Sequence, residues 1–307
     1  MAPNNWTIAE IPDLTGKTVI VTGGNSGLGF ESVKAFALKG ALVIMACRSV
    51  TKGEEAKKQI LKFLPKADIR VMELDLTDLK SVRNFAFNFK RNHSKLEVLL
   101  NNAGIMMVPY SVTKDGFESQ MGTNHLGHFA LTGLLLEVIK NTPNSRVVNV
   151  SSMAHTSGEM DFNNLLFENG KGYSSTKAYS RSKLSNLLFT YELQRFFEKN
   201  KINSIALAAH PGFSSTNLAN HLIKKWYVRL LKPLILKMAQ PASLGALPQI
   251  RASVDPQAKA NEFYGPDGKR QMKGYPIVVD PKPKARDLES ARKLWVASEK
   301  LTSVIYS

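Results

Sequence analysis

Cysteine is almost missing from this sequence: Cys47 stands alone among 307 residues, so neither a disulfide framework nor a thiolate metal cluster can be assembled. It lies in the apolar run ALVIMAC, where a small buried thiol is expected. Long hydrophobic runs are missing as well. No stretch approaches the roughly 18 apolar residues that suggest a membrane-spanning helix, and the opening MAPNNWTIAEIPDLTG lacks the basic-then-apolar pattern of a secretory signal. The expectation is a cytoplasmic protein with no transmembrane segment. Acidic residues are scarce beside basic ones, 25 against 41, which leaves a formal net charge of +16. A basic surface draws polyanions. Here the lysines and arginines are scattered, without zinc-finger spacing, an RNP-type aromatic motif or a basic-region helix, so no nucleic-acid partner is expected.

What the sequence does have is alternation. Short β-branched runs at 18–24 (TVIVTGG), 41–47, 69–75, 96–102, 146–152 and 203–210 read as strands, and they are nearly continuous in apolar residues. Such runs suit strands buried on both faces of a parallel sheet. Between them, segments at about 27–39, 52–63, 78–92, 115–140 and 176–199 are long enough for right-handed helical crossovers. The pattern predicts an α/β fold, a doubly wound parallel sheet in a single domain. Its cofactor-binding core covers about 16–212. The regular alternation then ends. A segment of mixed basic and apolar residues at 221–241 is compatible with a substrate lid (about 213–241), an amphipathic helix pair packed on the body, or a peripheral membrane contact. A closing segment of about 242–307 holds a helix-like stretch (PASLGALPQIRAS), a turn at 265–268 (GPDG) and the run ARKLWVASEKL.

The first strand runs into Thr22-Gly23-Gly24-Asn25-Ser26-Gly27-Leu28-Gly29 and then into a helix. Gly23 allows the tight turn, Gly27 lets backbone amides approach phosphate oxygens, and Gly29 lets the helix pack against the sheet. A pyrophosphate would face the helix N-terminus, where unpaired N–H groups favour an anion. The second strand ends at Cys47-Arg48-Ser49, where an acidic residue would hold the 2′-hydroxyl of NAD. Arg48 offers instead a charged fork suited to a 2′-phosphate, with the Ser49 hydroxyl beside it, which predicts NADP(H). Stacking of Arg48 on adenine is the competing role.

Further motifs follow in order: Asp75-Leu76, Asn101-Asn102-Ala103-Gly104, Asn124 in NHLGH, Ser152 in VNVSS, Tyr179-Ser-Arg-Ser-Lys183, and Pro211-Gly212 with Thr216. Together with the glycine motif they resemble the short-chain dehydrogenase/reductase family, from Gly16 to about Tyr306. ACRS, NNAGIM, NHLGHF, YSRSKLSNLLF and HPGF look most like its retinol dehydrogenase and protochlorophyllide reductase branch. The resemblance implies a Rossmann fold. It also implies that Asp75 and Leu76 contact adenine, that Asn102, Ala103 and Gly104 line a ribose, and that Pro211, Gly212 and Thr216 hold the nicotinamide end. Lys183 would bind the nicotinamide ribose, and Asn124 would hold a water between Lys183 and solvent. One departure is the polar opening segment, where animal retinol dehydrogenases commonly carry a hydrophobic anchor.

Adding hydride to a carbonyl builds negative charge on oxygen, which calls for a proton donor and a fixed hydrogen bond at that atom. Tyr179 is the candidate donor. Its phenol, with a free pKa of about 10, is too weak an acid unless something lowers it. Lys183, four residues on along a helix, is expected to do so through its charge. Ser152, at the carboxyl edge of the sheet, would bond the substrate oxygen, while Ser151 points away across the strand. Tyr173 and Lys177 repeat the spacing, but the run Ser174-Ser175-Thr176 reads as a helix start, which leaves Tyr173 outside the helix. His125 and His128 lack a third ligand for a metal. Met106, Met107 and Met153 fit either a loosely specific apolar pocket or gaps in the core. The sequence therefore predicts an NADP(H)-dependent oxidoreductase acting on a hydrophobic carbonyl or alcohol. A non-catalytic NADP(H)-binding scaffold is the alternative, and a homodimer is compatible with either.

Overall fold

In the computed structural model, residues 5–214 and 239–307 are described. The apolar runs form β1 (Thr18–Thr22), β2 (Leu42–Cys47), β3 (Ile69–Glu73), β4 (Val98–Asn101), β5 (Ser145–Val150) and β6 (Ser204–Ala209). The crossovers are α1 (Gly27–Leu38), α2 (Val50–Leu61), α3 (Leu79–Asn92) and α7 (Ser175–Lys199), with a broken helix between β4 and β5. Side chains along the strands alternate between two cores. Val19, Val21, Val43 and Met45 pack on the face that carries α1, whereas Ile20, Ile44, Leu99 and Val147 pack on the face that carries α3. Every one of these residues is fully buried. At roughly 1.5–3 kcal/mol per large buried side chain, this double burial is what drives the sheet together.

Among the described residues the sheet has eight strands, the six above with β7 (Phe263–Pro266) and β8 (Pro276–Val278), in the order β3-β2-β1-β4-β5-β6-β7-β8. All neighbours are parallel except the last pair. The winding reverses between β1 and β4, which opens a crevice at their carboxyl ends.

Three sequence expectations need correction. The stretch 115–140 is not one helix: Ser119–Met121 (α4) leads into a π-helical turn, Gly122–Leu126, followed by Gly127–Leu134 (α5) and Leu136–Lys140 (α6). Gly265 and Pro266 are not turn residues. They complete β7 (Phe263–Pro266), which pairs antiparallel with β8 (Pro276–Val278). Both strands are short and contain glycine or proline, which hides them from pattern reading. The strands before the motifs also end earlier than expected, so Gly23, Asn102, Ser151 and Ser152 stand just beyond the sheet edge. The run ARKLWVASEKL lies within the helix Leu288–Thr302. Most of the 221–241 segment, and Thr216, lie outside the described residues.

Candidate active site

The glycine turn takes its shape from backbone that other residues adopt at a cost. Gly23 and Gly27 have φ of 67° and 54°. A Cβ on Gly29 would stand 2.3 Å from the Gly23 carbonyl oxygen and 2.7 Å from Asn102 Nδ2, so α1 reaches the sheet only through glycine. Ser26 caps α1 without a side-chain hydrogen bond, which leaves the first-turn amides for an anion. The next loop is tied to this turn. Thr22 Oγ1 accepts from the amides of Asn102 and Ala103, both at 2.9 Å, and Asn102 Nδ2 donates to the Thr22 carbonyl at 2.8 Å.

A cleft of about 380 Å³ runs across these carboxyl ends. Arg48, Asp75 and Leu76 line its β2–β3 side, Asn25 to Gly29 its floor, and Tyr179, Lys183 and Pro211 its β5–β6 side. Arg48 is exposed and, among the described residues, pairs with no carboxylate. The residues fit a dinucleotide: a glycine cradle with no room for a Cβ, bare helix amides for the pyrophosphate, and a lone guanidinium where β2 stops.

Some expected site residues are placed otherwise. Ser49 is off the cleft wall and caps α2, its hydroxyl accepting from the Lys52 amide at 3.4 Å. Gly212 is also behind the wall, with φ of 62° and its amide donating to His210 Nδ1 at 3.2 Å. The Asn124 side chain, fully buried, turns to protein groups. Its Oδ1 accepts from the Ile105 amide at 2.8 Å, and its Nδ2 donates to the Ile105 carbonyl at 3.0 Å and to Ser182 Oγ at 2.9 Å. That geometry holds a cleft loop. Asp75 Oδ1 accepts from the amide and hydroxyl of Thr77, fixing the turn after β3. Ser151 is among the cleft residues, its hydroxyl donating to the Lys183 carbonyl at 2.7 Å, whereas Ser152 is not, and its hydroxyl accepts from the Ala154 amide at 3.2 Å.

Tyr179 and Lys183 share one buried face of α7, with the ammonium 5.8 Å from the phenol ring centre. Lys183 Nζ donates to the Val150 carbonyl at 3.0 Å, an acceptor it shares with Asn186 Nδ2. Burial pulls the Lys183 pKa down to about 8. Burial also raises the Tyr179 phenol above its ordinary value, against the opposing hydrogen bond with the Ser152 side chain. The expectation that the phenol is brought down by Lys183 is therefore not met in the protein alone, where desolvation sets the direction of the shift. Tyr173 precedes α7 and its Ser174 cap.

His128, which the sequence marks as structural rather than metal-binding, has partners that only the fold reveals. Its Nδ1 lies 3.0 Å from the Asn124 carbonyl oxygen and its Nε2 lies 2.9 Å from Thr22 Oγ1. Since a carbonyl only accepts, the network assigns the proton to Nδ1 and makes Nε2 the acceptor for the Thr22 hydroxyl. Burial lowers its pKa to about 4, consistent with that neutral ring. The ring thus couples the glycine turn to the π-helical turn. No cluster of metal-ligating side chains occurs among the described residues.

A profile of the short chain dehydrogenase family matches residues 17–226. The chain belongs to the short-chain dehydrogenase family. Human retinol dehydrogenase 12 is 40% identical over 294 residues, covering 95% of this chain and 88% of the relative. Human retinol dehydrogenase 13 is 37% identical over 301 residues, covering 96% and 86%. Among solved structures, an uncharacterized protein from Mycobacterium Paratuberculosis shares 42% identity with a TM-score of 0.82, over 99% of this dehydrogenase and 100% of that chain. Pseudomonas aeruginosa RhlG, solved as an NADP complex, shares the fold at 19% identity and a TM-score of 0.65, over 82% and 94%. This dehydrogenase is accordingly an alcohol/carbonyl oxidoreductase that uses NAD(H) or NADP(H). No helix among its described residues is long and apolar enough to cross a membrane.

Proposed function

We propose that this dehydrogenase interconverts a hydrophobic aldehyde or ketone and its alcohol with NADP(H), Tyr179 serving as acid and base. The observation that carries the reading is the buried Tyr179, with the Lys183 ammonium 5.8 Å from its ring centre, on the wall of the same cleft that has Arg48 at its β2 end. The first-turn amides of α1 would hold the pyrophosphate, Arg48 the 2′-phosphate, Asp75 and Leu76 the adenine, Asn102 to Gly104 a ribose, Lys183 the nicotinamide ribose, and Pro211 the nicotinamide end. Bound NADPH supplies the hydride. The Tyr179 hydroxyl then gives its proton to the oxygen that gains charge, and the Ser152 hydroxyl fixes that oxygen by a hydrogen bond. Burial keeps the phenol protonated at neutral pH, so its proton leaves only as negative charge develops on the substrate oxygen. Lys183, partly desolvated, keeps most of its charge below about pH 8 and stabilises the phenolate left behind. Ile105 and Met106 on the cleft wall suit an apolar substrate. The retinol dehydrogenase relatives make retinal the first to test.

The test is NADPH consumption with all-trans-retinal and a series of aliphatic and aromatic aldehydes, repeated with Tyr179→Phe. Loss of the proton donor is expected to cut kcat by about 10²–10⁴-fold while NADPH still binds. Undiminished turnover by Tyr179→Phe, or tight NADPH binding with no carbonyl reduced, rejects the reading.

A further inference from the structure

The second Y-x-x-x-K pair, Tyr173 and Lys177, plays no part in the proposed chemistry. Lys177 is exposed, but Tyr173 is half-buried and sits where several loops converge. Its hydroxyl donates to the Val108 carbonyl at 2.7 Å and accepts from Gln120 Nε2 at 3.0 Å. Gln120 is completely buried at the start of the broken helix. Its Nε2 also donates to the Ser175 carbonyl at the first turn of α7, at 3.0 Å, while its Oε1 accepts from the Met107 amide at 2.7 Å. Tyrosine and glutamine therefore grip the 105–108 loop at Met107 and Val108 and tie it to the helix that carries Tyr179.

The grip acts on strained backbone. Met107 has φ of 50°, the left-handed region that a residue with a Cβ occupies only when its surroundings hold it there. Its neighbours Ile105 and Met106 form part of the cleft wall. On the other side, the Tyr173 ring meets Tyr110 and Phe167 edge-on, at 5.2 and 5.5 Å between ring centres. Phe167 lies under the Arg181 guanidinium at 4.1 Å. Burial pushes the Tyr173 pKa up to about 12, so its hydroxyl remains a donor at every practical assay pH.

We propose that Tyr173 and Gln120 are positioning residues that hold the 105–108 loop as one wall of the substrate pocket, and so set how well long apolar carbonyl substrates are accepted. The assignment rests on the reading that substrate lies beside Ser152 and Tyr179. A long chain touches that wall and a short one does not, so the two residues act on KM for long substrates and leave the hydride and proton steps alone.

Tyr173→Phe keeps the ring contacts and removes both hydrogen bonds. With NADPH, KM for nonanal is expected to rise about fivefold, the loss of one to two ordinary hydrogen bonds, while KM for propanal and kcat for both hold within about twofold. Gln120→Met is expected to act in the same direction, and the double variant to fall short of the product of the two effects, because both work through one loop. Hydrogen exchange on the NADPH-bound protein reads the loop without turnover: amides of 105–108 are expected to exchange faster in Tyr173→Phe, and those of β1 to be unchanged. Unaltered loop exchange, equal KM changes for the two aldehydes, or a loss confined to kcat overturns the proposal. If Tyr179→Phe retains turnover while the loop loosens as expected, the catalytic reading has failed and the loop restraint stands.

Discussion

Arg48 stands alone at its end of the cleft, a planar cation on the surface where β2 stops, with no carboxylate paired to it among the described residues. A charge-assisted bond to a 2′-phosphate contributes on the order of 1.5–3 kcal/mol, so Arg48→Asp is expected to raise KM for NADPH about 10–100-fold and to lower that for NADH. Steady-state kinetics with both cofactors decides it; an unchanged NADPH preference would assign Arg48 to stacking. At this scale the sequence revealed residues whose role is local. Tyr179 could be separated from Tyr173 because a helix start is written in the adjacent Ser174 to Thr176. The partners of His128 could not be read, since Thr22 lies 106 positions away along the chain. Asn124 shows a related limit: its position in the chain was visible, and the direction of its amide was not.

The broken helix 119–140 carries the consequence at the level of elements. Gly127 opens α5 immediately after the π-helical turn, and a Cβ there would meet the Leu76 carbonyl oxygen at 2.7 Å and Leu76 Cβ at 3.0 Å. Leu76 is part of the cleft wall. Overpacking of this kind costs about 1–3 kcal/mol, so Gly127→Ala is expected to lower Tm by several degrees and to weaken NADPH binding together. Thermal melts and NADPH fluorescence titration check it, and a variant with unchanged Tm and unchanged affinity contradicts the contact. β1 to β6 were legible because burial on both faces demands unbroken apolar runs. β7 and β8 were not, since FYGP and PIV are too short to carry a period and are braced by neighbours rather than by their own composition. The helical break was hidden too: the 3.6-residue pattern continues through it, and only the glycines at 122 and 127 mark it.

Across the whole molecule, buried imidazoles set the response to acid. Burial lowers the pKa of His125 to about 3 and those of His128 and His210 to about 4. The unfolded chain, with histidines near 6.5, binds more protons than the fold between these values, so stability falls as pH drops below about 6.5. At pH 5 each ring costs roughly 2 kcal/mol, and melts from pH 7.5 to 5 are expected to show a falling Tm, less steep in His125→Gln. A Tm that does not move over this interval refutes the neutral-ring assignment. The late helices also brace the early half. Gln249 Nε2 donates to Ser32 Oγ and to Asn102 Oδ1, each at 2.9 Å, and the Tyr306 hydroxyl donates to the Phe129 carbonyl at 2.7 Å. During synthesis these partners arrive last. A nascent chain arrested before residue 249 would own strands β1 to β6 and yet leave Ser32 and Asn102 without this support, so the glycine-turn half is locked only when synthesis is nearly complete.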